Sequence, residues 1–294
     1  MTVEPSRVAF LGLGVMSRGM AANAAAAGFD VTAWNRSPRE GPQGVRMAPS
    51  IAEAIHGASV IVVCVTDDEA VRAVVGGADG VLAAGPAGAV LIDSSTTAPA
   101  TAAALEADLA QHAAGFVDAP VTGGAEGAKT GSLTFLCGGR QKAFELARPV
   151  LQVMGSRAIH FGDAGSGQLA KAINQVILAG TFLGVAEGLT LAKVAGLDAE
   201  QVVDALGQGA AASWVLTNRG PFMAKDDYPP VGKVALHHKD LRIALQALDD
   251  LGIDLAGTRL VHHLEGRLIE SGRGDLDVSS LHLAVREAAN RDDA

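Results

Sequence analysis

The chain has 294 residues, of which 49% are apolar and only 4% aromatic, with 36 glycines, 11 prolines and two cysteines. That length exceeds the roughly 100–150 residues of a common single domain, so two packed domains are predicted and a disulfide-stapled miniprotein, a disordered chain and a fibrous repeat are excluded. A balance of 23 basic against 32 acidic residues, net −9, disfavours nucleic acid and anionic membrane surfaces as partners.

Taken in order, the first half alternates short β-branched runs with Ala-rich segments, the pattern of an α/β parallel sheet covered by helices. Strands are predicted at Arg7–Leu11, Asp30–Trp34, Val60–Val65, Ala89–Asp93, Gly115–Ala119 and Leu133–Cys137, with a weaker one near Arg157–His160. Ser50 followed by Glu53 reads as a capping box, and Pro99 suits a first helical turn. Cys64 ends one apolar run and Cys137 sits in another, which suggests neither a disulfide framework nor a Cys-based zinc site and fits a reducing cytoplasm. The opening MTVEPSR has no signal-peptide pattern, and the longest low-polarity run, Val176–Ala186, is shorter than the roughly 18–20 residues of a membrane span, so a protein neither exported nor anchored is expected.

Beyond about Gly162 strands give way to helical spacing, placing a Rossmann-like domain at residues 1–163 and an all-α domain at 164–294. The first helix of the second half is predicted over Ser166–Val194, on the order of 43 Å long at about 1.5 Å per residue. Gly180, Gly184 and Gly188 share one face of it, for intrachain packing or for a subunit interface. The polar tail Ala288–Ala294 is expected to fray.

Directly after the first strand, Gly12-Leu13-Gly14-Val15-Met16-Ser17 opens an Ala-rich helix. This is the dinucleotide-binding G-x-G-x-x-G pattern with serine in the third place: Gly12 permits the tight turn, Gly14 a close backbone approach, and the helix N-terminus attracts pyrophosphate. At the end of the second strand an NAD site wants a carboxylate, but the chain has Asn35-Arg36-Ser37. Arg36 suits a 2′-phosphate and Asn35 or Ser37 can donate to it, so NADP(H) is expected over NAD. Asp30, the nearest acid, lies at the wrong end of its strand.

On a helix, Gly167, Lys171, Asn174 and Gln175 fall at i, i+4, i+7 and i+8, converging a lysine and two amides on one face. Hydride chemistry belongs to a nicotinamide, so the protein must supply a proton donor and an anchor; a partly desolvated lysine serves as the donor, with Leu169, Ala170 and Ile173 as apolar surroundings. Thr122-Gly123-Gly124 follows a strand end, where consecutive glycine N–H groups can hold a carboxylate or simply form a turn. His237-His238 and His262-His263 lack the H-E-x-x-H spacing, so surface or capping roles are expected and no metal site. Trp214 and Phe222 are core candidates, with Trp214 also a candidate wall of the substrate pocket.

The segments Gly12–Ala22, Asp118–Gly124, Gly165–Asn174 and Lys239-Asp240-Leu241, in this order, resemble the β-hydroxyacid dehydrogenases, the family of 3-hydroxyisobutyrate dehydrogenase, tartronate semialdehyde reductase and the glyoxylate/succinic semialdehyde reductases. The resemblance runs from Val8 to about Glu287 and implies a Rossmann-like domain, a helical domain, a cleft between them, and dimers or tetramers. It further implies that Lys171 transfers the proton, that Asn174 holds substrate and ammonium, and that Thr122-Gly123-Gly124 holds the acid group of a small carboxylate substrate. Val65-Thr66 would pass the ribose, Thr96 would lie near the nicotinamide, and Lys239 and Asp240 would close over the cofactor. Thr122 stands where serine is usual, Gln175 where a second asparagine is frequent, and Val231-Gly232 where a Gly-Phe pair precedes Lys233, which removes an aromatic wall. Two alternatives are an imine reductase of the same fold, whose members usually lack this lysine, and a non-catalytic NADP-binding relative.

Overall fold

Val-, Ile- and Ala-rich runs that can be buried on both faces need helices on either side, and they have them in the computed structural model, which describes residues 7–289. The strands are β1 (Arg7–Leu11), β2 (Asp30–Trp34), β3 (Val45–Met47), β4 (Val60–Val63), β5 (Val90–Asp93), β6 (Gly115–Asp118), β7 (Val121–Thr122), β8 (Leu133–Gly138) and β9 (Gly155–Gly162). They order as β3-β2-β1-β4-β5-β6-β8-β7, with β9 on β8. The run from β3 to β6 is parallel and β8 reverses direction against β6 and β7. Between β1 and β4 the order of connection reverses, the switch point at which ligands bind in such sheets.

In this half the helices are α1 (Val15–Ala26), α2 (Ile51–Ile55), α3 (Asp68–Gly76), α4 (Val81–Ala84), α5 (Pro99–Gln111), α6 (Gly124–Thr130) and α7 (Gln141–Met154). Two local signals act as expected: the Ser50 side chain accepts from Glu53 N, and Pro99 opens α5. The α5 N-cap is Ala98, which has no side-chain acceptor of its own; Asp68 supplies one to Ala98 N and to the Thr101 hydroxyl. Strands β3 and β7, three and two residues long, are too short to carry an alternation and escape the sequence pattern. Strand β4 stops at Val63 rather than Val65, and β9 extends beyond the expected Arg157–His160 at both ends.

The chain divides into two compact units, one up to Lys171 and one from Ala172. Helix α8 (Ser166–Val194) begins in the first and continues into the second. Among the described residues the second unit has no strand; it holds the remainder of α8, then α9 (Ala199–Leu206), α10 (Trp214–Asn218), α11 (Gly220–Lys225), α12 (Val234–Asp250), α13 (Ala256–Glu270), a 3₁₀ turn at Val278–Ser280, and α14 (Leu281–Ala289). Ala179, Phe182, Ala186 and Leu189 of α8 pack with Val203, Met223, Leu241, Val261 and Leu281 in its core. The protein is therefore an α/β Rossmann-like domain followed by an all-α domain.

By length and composition alone helix α8 is long and apolar enough to cross a membrane, with mean hydropathy 1.5 and 39% of that window buried, a test that the core helix of a soluble protein also meets. A Cβ added at Gly180, Gly184 or Gly188 would meet no atom within 4 Å, so intrachain packing does not use those glycines among the described residues. The expected fraying tail lies outside the described residues from position 290 onward.

Buried charge organises the helical unit. Asp277, fully buried, accepts from Gly232 N at 2.9 Å, from Ser279 N and Oγ at 3.0 and 2.6 Å, and pairs with Arg219 Nε at 3.5 Å. Removing one partner of such a pair leaves the other uncompensated, at about 3–5 kcal/mol. Asp277→Ala is accordingly expected to lower the unfolding free energy by about that amount in urea titration; a loss below about 1 kcal/mol would show the pair to be incidental.

Candidate active site

The glycine loop leaves β1 at the switch point. Gly12 has φ +94°, and a Cβ there would sit 2.5 Å from Cys64 O, so both conformation and space require glycine. Gly14 caps α1 with no side-chain hydrogen bond, a Cβ on it would have nothing nearer than Ser17 Oγ at 4.0 Å, and the first turn has no acidic residue. Val15 beside it is 75% exposed and Met16 partly buried. An open, acid-free helix N-terminus with uncapped N–H groups fits a pyrophosphate. Ser17, in the third motif position, is fully buried as the packing role requires.

Asn35 takes a role different from the expected one. Its Oδ1 accepts from Leu13 N at 2.9 Å and one N–H of its Nδ2 donates to Ser37 O at 2.8 Å, so the amide braces the glycine loop against the β2 turn and keeps a second N–H. Arg36 and Ser37 are exposed, and neither side chain makes a hydrogen bond or ion pair with another described residue. Arg39, which the sequence reading passed over, donates to Leu13 O at 2.6 Å, so two side chains hold the Leu13 peptide from both ends. Asp30 pairs with Arg7 at 2.9 Å at the far end of β2.

The ends of β4, β5 and β6 carry the next layer. Val65 N donates to Ser95 Oγ at 3.0 Å, while the exposed Thr66 hydroxyl donates to Asp67, the cap of α3. Ser95 N donates to Asp93 Oδ1 at 2.9 Å, and Thr96, half-buried, follows. Asp93 is completely buried; desolvation, reinforced by Asp118 and Asp68, outweighs its bonds from Ser95 and pushes its carboxyl up to about 7. Its register partner on β6, Asp118, is raised by burial too, against the backbone N–H groups it accepts from: Gly165 N at 2.8 Å and Gln168 N at 2.9 Å, at the start of α8. Burial likewise pushes the Cys64 and Cys137 thiols up to about 12, which makes both poor nucleophiles.

One turn into α8, Lys171 Nζ donates to Val121 O at 3.0 Å. Val121 immediately precedes Thr122, Gly123 and Gly124, and the two glycines adopt φ +125° and +67°, a backbone reversal closed to most side chains. The ammonium and the proposed carboxylate loop are thus held on one short segment. Of the expected apolar neighbours, Leu169 and Ile173 are 38% and 55% exposed and Ala170 is half-buried, as is Lys171 itself.

In the helical unit Asn174 Nδ2 donates to Gln175 Oε1 at 2.8 Å, Gln175 Nε2 donates to Asp240 Oδ2 at 2.6 Å, and Asp240 Oδ1 pairs with Lys239 at 2.9 Å. Four predicted site residues therefore form one relay within that unit. Trp214 is not core: it is 54% exposed, with the Arg219 guanidinium 4.6 Å from its ring centre and 5.4 Å from that of Phe222. Val231 is exposed, and Gly232 is held by Asp277.

Of the four histidines expected in surface or capping roles, His263 is exposed, while the others pack inside the helical unit. His237 is buried and bonds Glu265 Oε1 at 2.6 Å, and His238 stacks on His262 with ring centres 3.9 Å apart. Desolvation, with His238 adding to it, pushes His262 down to about 4. Among the described residues no group of three or more potential ligands could hold a metal.

Comparison with known proteins decides the family. Residues 7–162 match the model of the NAD binding domain of 6-phosphogluconate dehydrogenase, and 165–284 that of the NAD-binding domain of NADP-dependent 3-hydroxyisobutyrate dehydrogenase. The chain is 32% identical to 2-hydroxy-3-oxopropionate reductase of Escherichia coli K12 over 290 residues, 97% of this chain and 98% of that protein. It belongs to the β-hydroxyacid dehydrogenase family. Among solved members, Mycobacterium tuberculosis 3-hydroxyisobutyrate dehydrogenase with L-serine superposes with TM-score 0.84 at 31% identity, covering 96% of this chain and 99% of that one. Psf3 in complex with NADP+ and 2-OPP gives 0.86 at 27%, covering 95% and 99%. As a β-hydroxyacid dehydrogenase the protein is an NAD(P)-dependent oxidoreductase.

The buried acid at the end of β5 gives this site a pH signature. Because the Asp93 carboxyl is raised in the folded state, native protein binds more protons than unfolded chain between about pH 4 and about 7, and stability falls as pH rises through that window. Asp93→Asn keeps the acceptor for Ser95 N and is expected to flatten the fall, by up to about 1.4 kcal/mol per pH unit, in urea unfolding between pH 4 and 8. An unchanged slope would mean that Asp93 stays ionised.

Proposed function

We propose that the protein transfers hydride between NADP(H) and a short β-hydroxyacid or the corresponding semialdehyde, with Lys171 as general acid and base. The observation that carries this reading is the 3.0 Å bond from Lys171 Nζ to Val121 O, which places the ammonium next to Thr122-Gly123-Gly124. When bound, the nicotinamide supplies or accepts the hydride. Thr122 and the N–H groups of Gly123 and Gly124 hold the substrate carboxylate. In reduction Lys171 gives a proton to the oxygen of the substrate carbonyl as its carbon gains the hydride, and the neutral amine recovers a proton from water; oxidation runs the same transfers backwards. The names of the relatives support a substrate of this kind: 2-hydroxy-3-oxopropionate and L-serine each carry a carboxylate with an oxygen function on the third carbon.

Gly12 to Met16 would hold the pyrophosphate and Arg36 with Ser37 the 2′-phosphate, while Val65, Thr66 and Thr96 flank the ribose and nicotinamide. Asn174, Gln175 and Trp214 are proposed as substrate-contacting residues, and Lys239 and Asp240 as cofactor-contacting ones. The NADP+ complex of Psf3 supports the preference for the phosphorylated cofactor. The bare glycine face of α8 supports a homodimer or homotetramer.

Lys171→Ala is expected to lose turnover by about 10²–10⁴-fold while still binding NADPH. The assay is NADPH oxidation with glyoxylate, succinic semialdehyde, methylmalonate semialdehyde and tartronate semialdehyde, paired with cofactor fluorescence titration. Full turnover in the variant would refute the lysine's role. Arg36→Ala is expected to weaken NADPH by roughly 10–100-fold and leave NADH nearly unchanged, since only the former offers a phosphate to the guanidinium; equal effects on both would remove the basis for an NADP preference.

A further inference from the structure

Between the glycine loop and the lysine, one side chain has no place in the reaction just described. Gln168 lies on α8 one turn before Lys171 and is 1% exposed, and both ends of its amide are engaged: Oε1 accepts from Thr97 N at 3.1 Å and Nε2 donates to Ser95 O at 2.9 Å. Its backbone N donates to Asp118 Oδ2 at 2.9 Å. Ser95 in turn holds Val65 N through its hydroxyl. One residue thus grips the β5 loop on both sides of Thr96 and fixes that loop to the helix that carries the ammonium.

We propose that Gln168 is a positioning residue: it locks the Ser95–Thr97 loop to the first turn of α8, so that the loop and Lys171 Nζ keep one fixed separation. The inference rests on the proposed role of Lys171. Its physical basis is that an amide in a dry site must satisfy both of its ends, so leaving either partner unpaired is costly and the two-point contact admits a single geometry. Catalytic groups displaced by about 1 Å lose on the order of 10² in rate, which makes a rigid link between loop and helix worth more to turnover than to binding.

Gln168→Leu removes both bonds at similar volume, whereas Gln168→Glu keeps the acceptor for Thr97 N and loses the donor to Ser95 O. For Gln168→Leu, kcat is expected to fall by on the order of 10²-fold, with the Kd for NADPH within about threefold of the parent. For Gln168→Glu, which sets a carboxylate against Ser95 O in a dry site, a fall at least as large is expected. A second readout needs no turnover: hydrogen exchange of the peptide spanning residues 94–98 in the protein without cofactor should accelerate by at least about tenfold in Gln168→Leu, measured under conditions where the variant is fully folded, with protection elsewhere unchanged. Uniform loss of protection, or kcat falling only in step with the folded fraction, would reduce Gln168 to a packing residue and overturn the proposal. So would unchanged kcat in both variants. If Gln168→Leu is fully active while Lys171→Ala is dead, only this inference fails; if Lys171→Ala is active, the reading beneath it fails whatever Gln168 does.

Discussion

The first unit depends on how the start of α8 is received by the sheet. A helix leaves four N–H groups without intrahelical partners, and burying them against strand ends demands acceptors. Asp118 supplies both of its carboxylate oxygens to Gly165 N and Gln168 N. Space enforces the same contact: a Cβ on Gly167 would stand 2.3 Å from Leu136 O and 2.7 Å from Asp118 Oδ2. The acid, the bare glycine and the buried glutamine together set where α8 begins, and through it the position of Lys171 relative to β7.

Two buried carboxyls side by side at the ends of β5 and β6 are electrostatically unfavourable, and the chain resolves the conflict unequally. Asp118 meets a helix N-terminus, where the partial positive charge favours an anion by roughly 0.3–2 kcal/mol. Asp93 has only Ser95 and retains an oxygen with no hydrogen-bond partner among the described residues, so its carboxyl is the one held near neutrality. A polar layer under the cofactor loops can therefore exist without two full charges in it.

What the sequence made legible was written in neighbouring residues. The glycine loop, the Ser50 cap and Pro99 at the head of α5 are local matters of φ and missing N–H groups, and the structure has each where the pattern puts it. The four-residue relay of Asn174, Gln175, Asp240 and Lys239 could be named but not connected, because the lengths of the connecting helices decide who meets whom. Gln168 was passed over for a related reason: its partners lie more than 70 positions away, and a glutamine among Gly, Leu and Ala carries no sign of burial. Nothing in the sequence marks Arg39 for its bond to Leu13 O, 26 positions away. The histidines misled in the opposite direction, since attention to adjacent pairs hid the contact made across helices by His238 and His262.

The Leu13 peptide, held at its N–H by Asn35 and at its oxygen by Arg39, has a consequence for cofactor exchange. A loop that is already preorganised loses little conformational entropy when a dinucleotide arrives, so less of the contact energy is consumed in ordering the protein. The folding reaction has borne that ordering beforehand. Such a site can capture its nucleotide without a slow rearrangement of the loop.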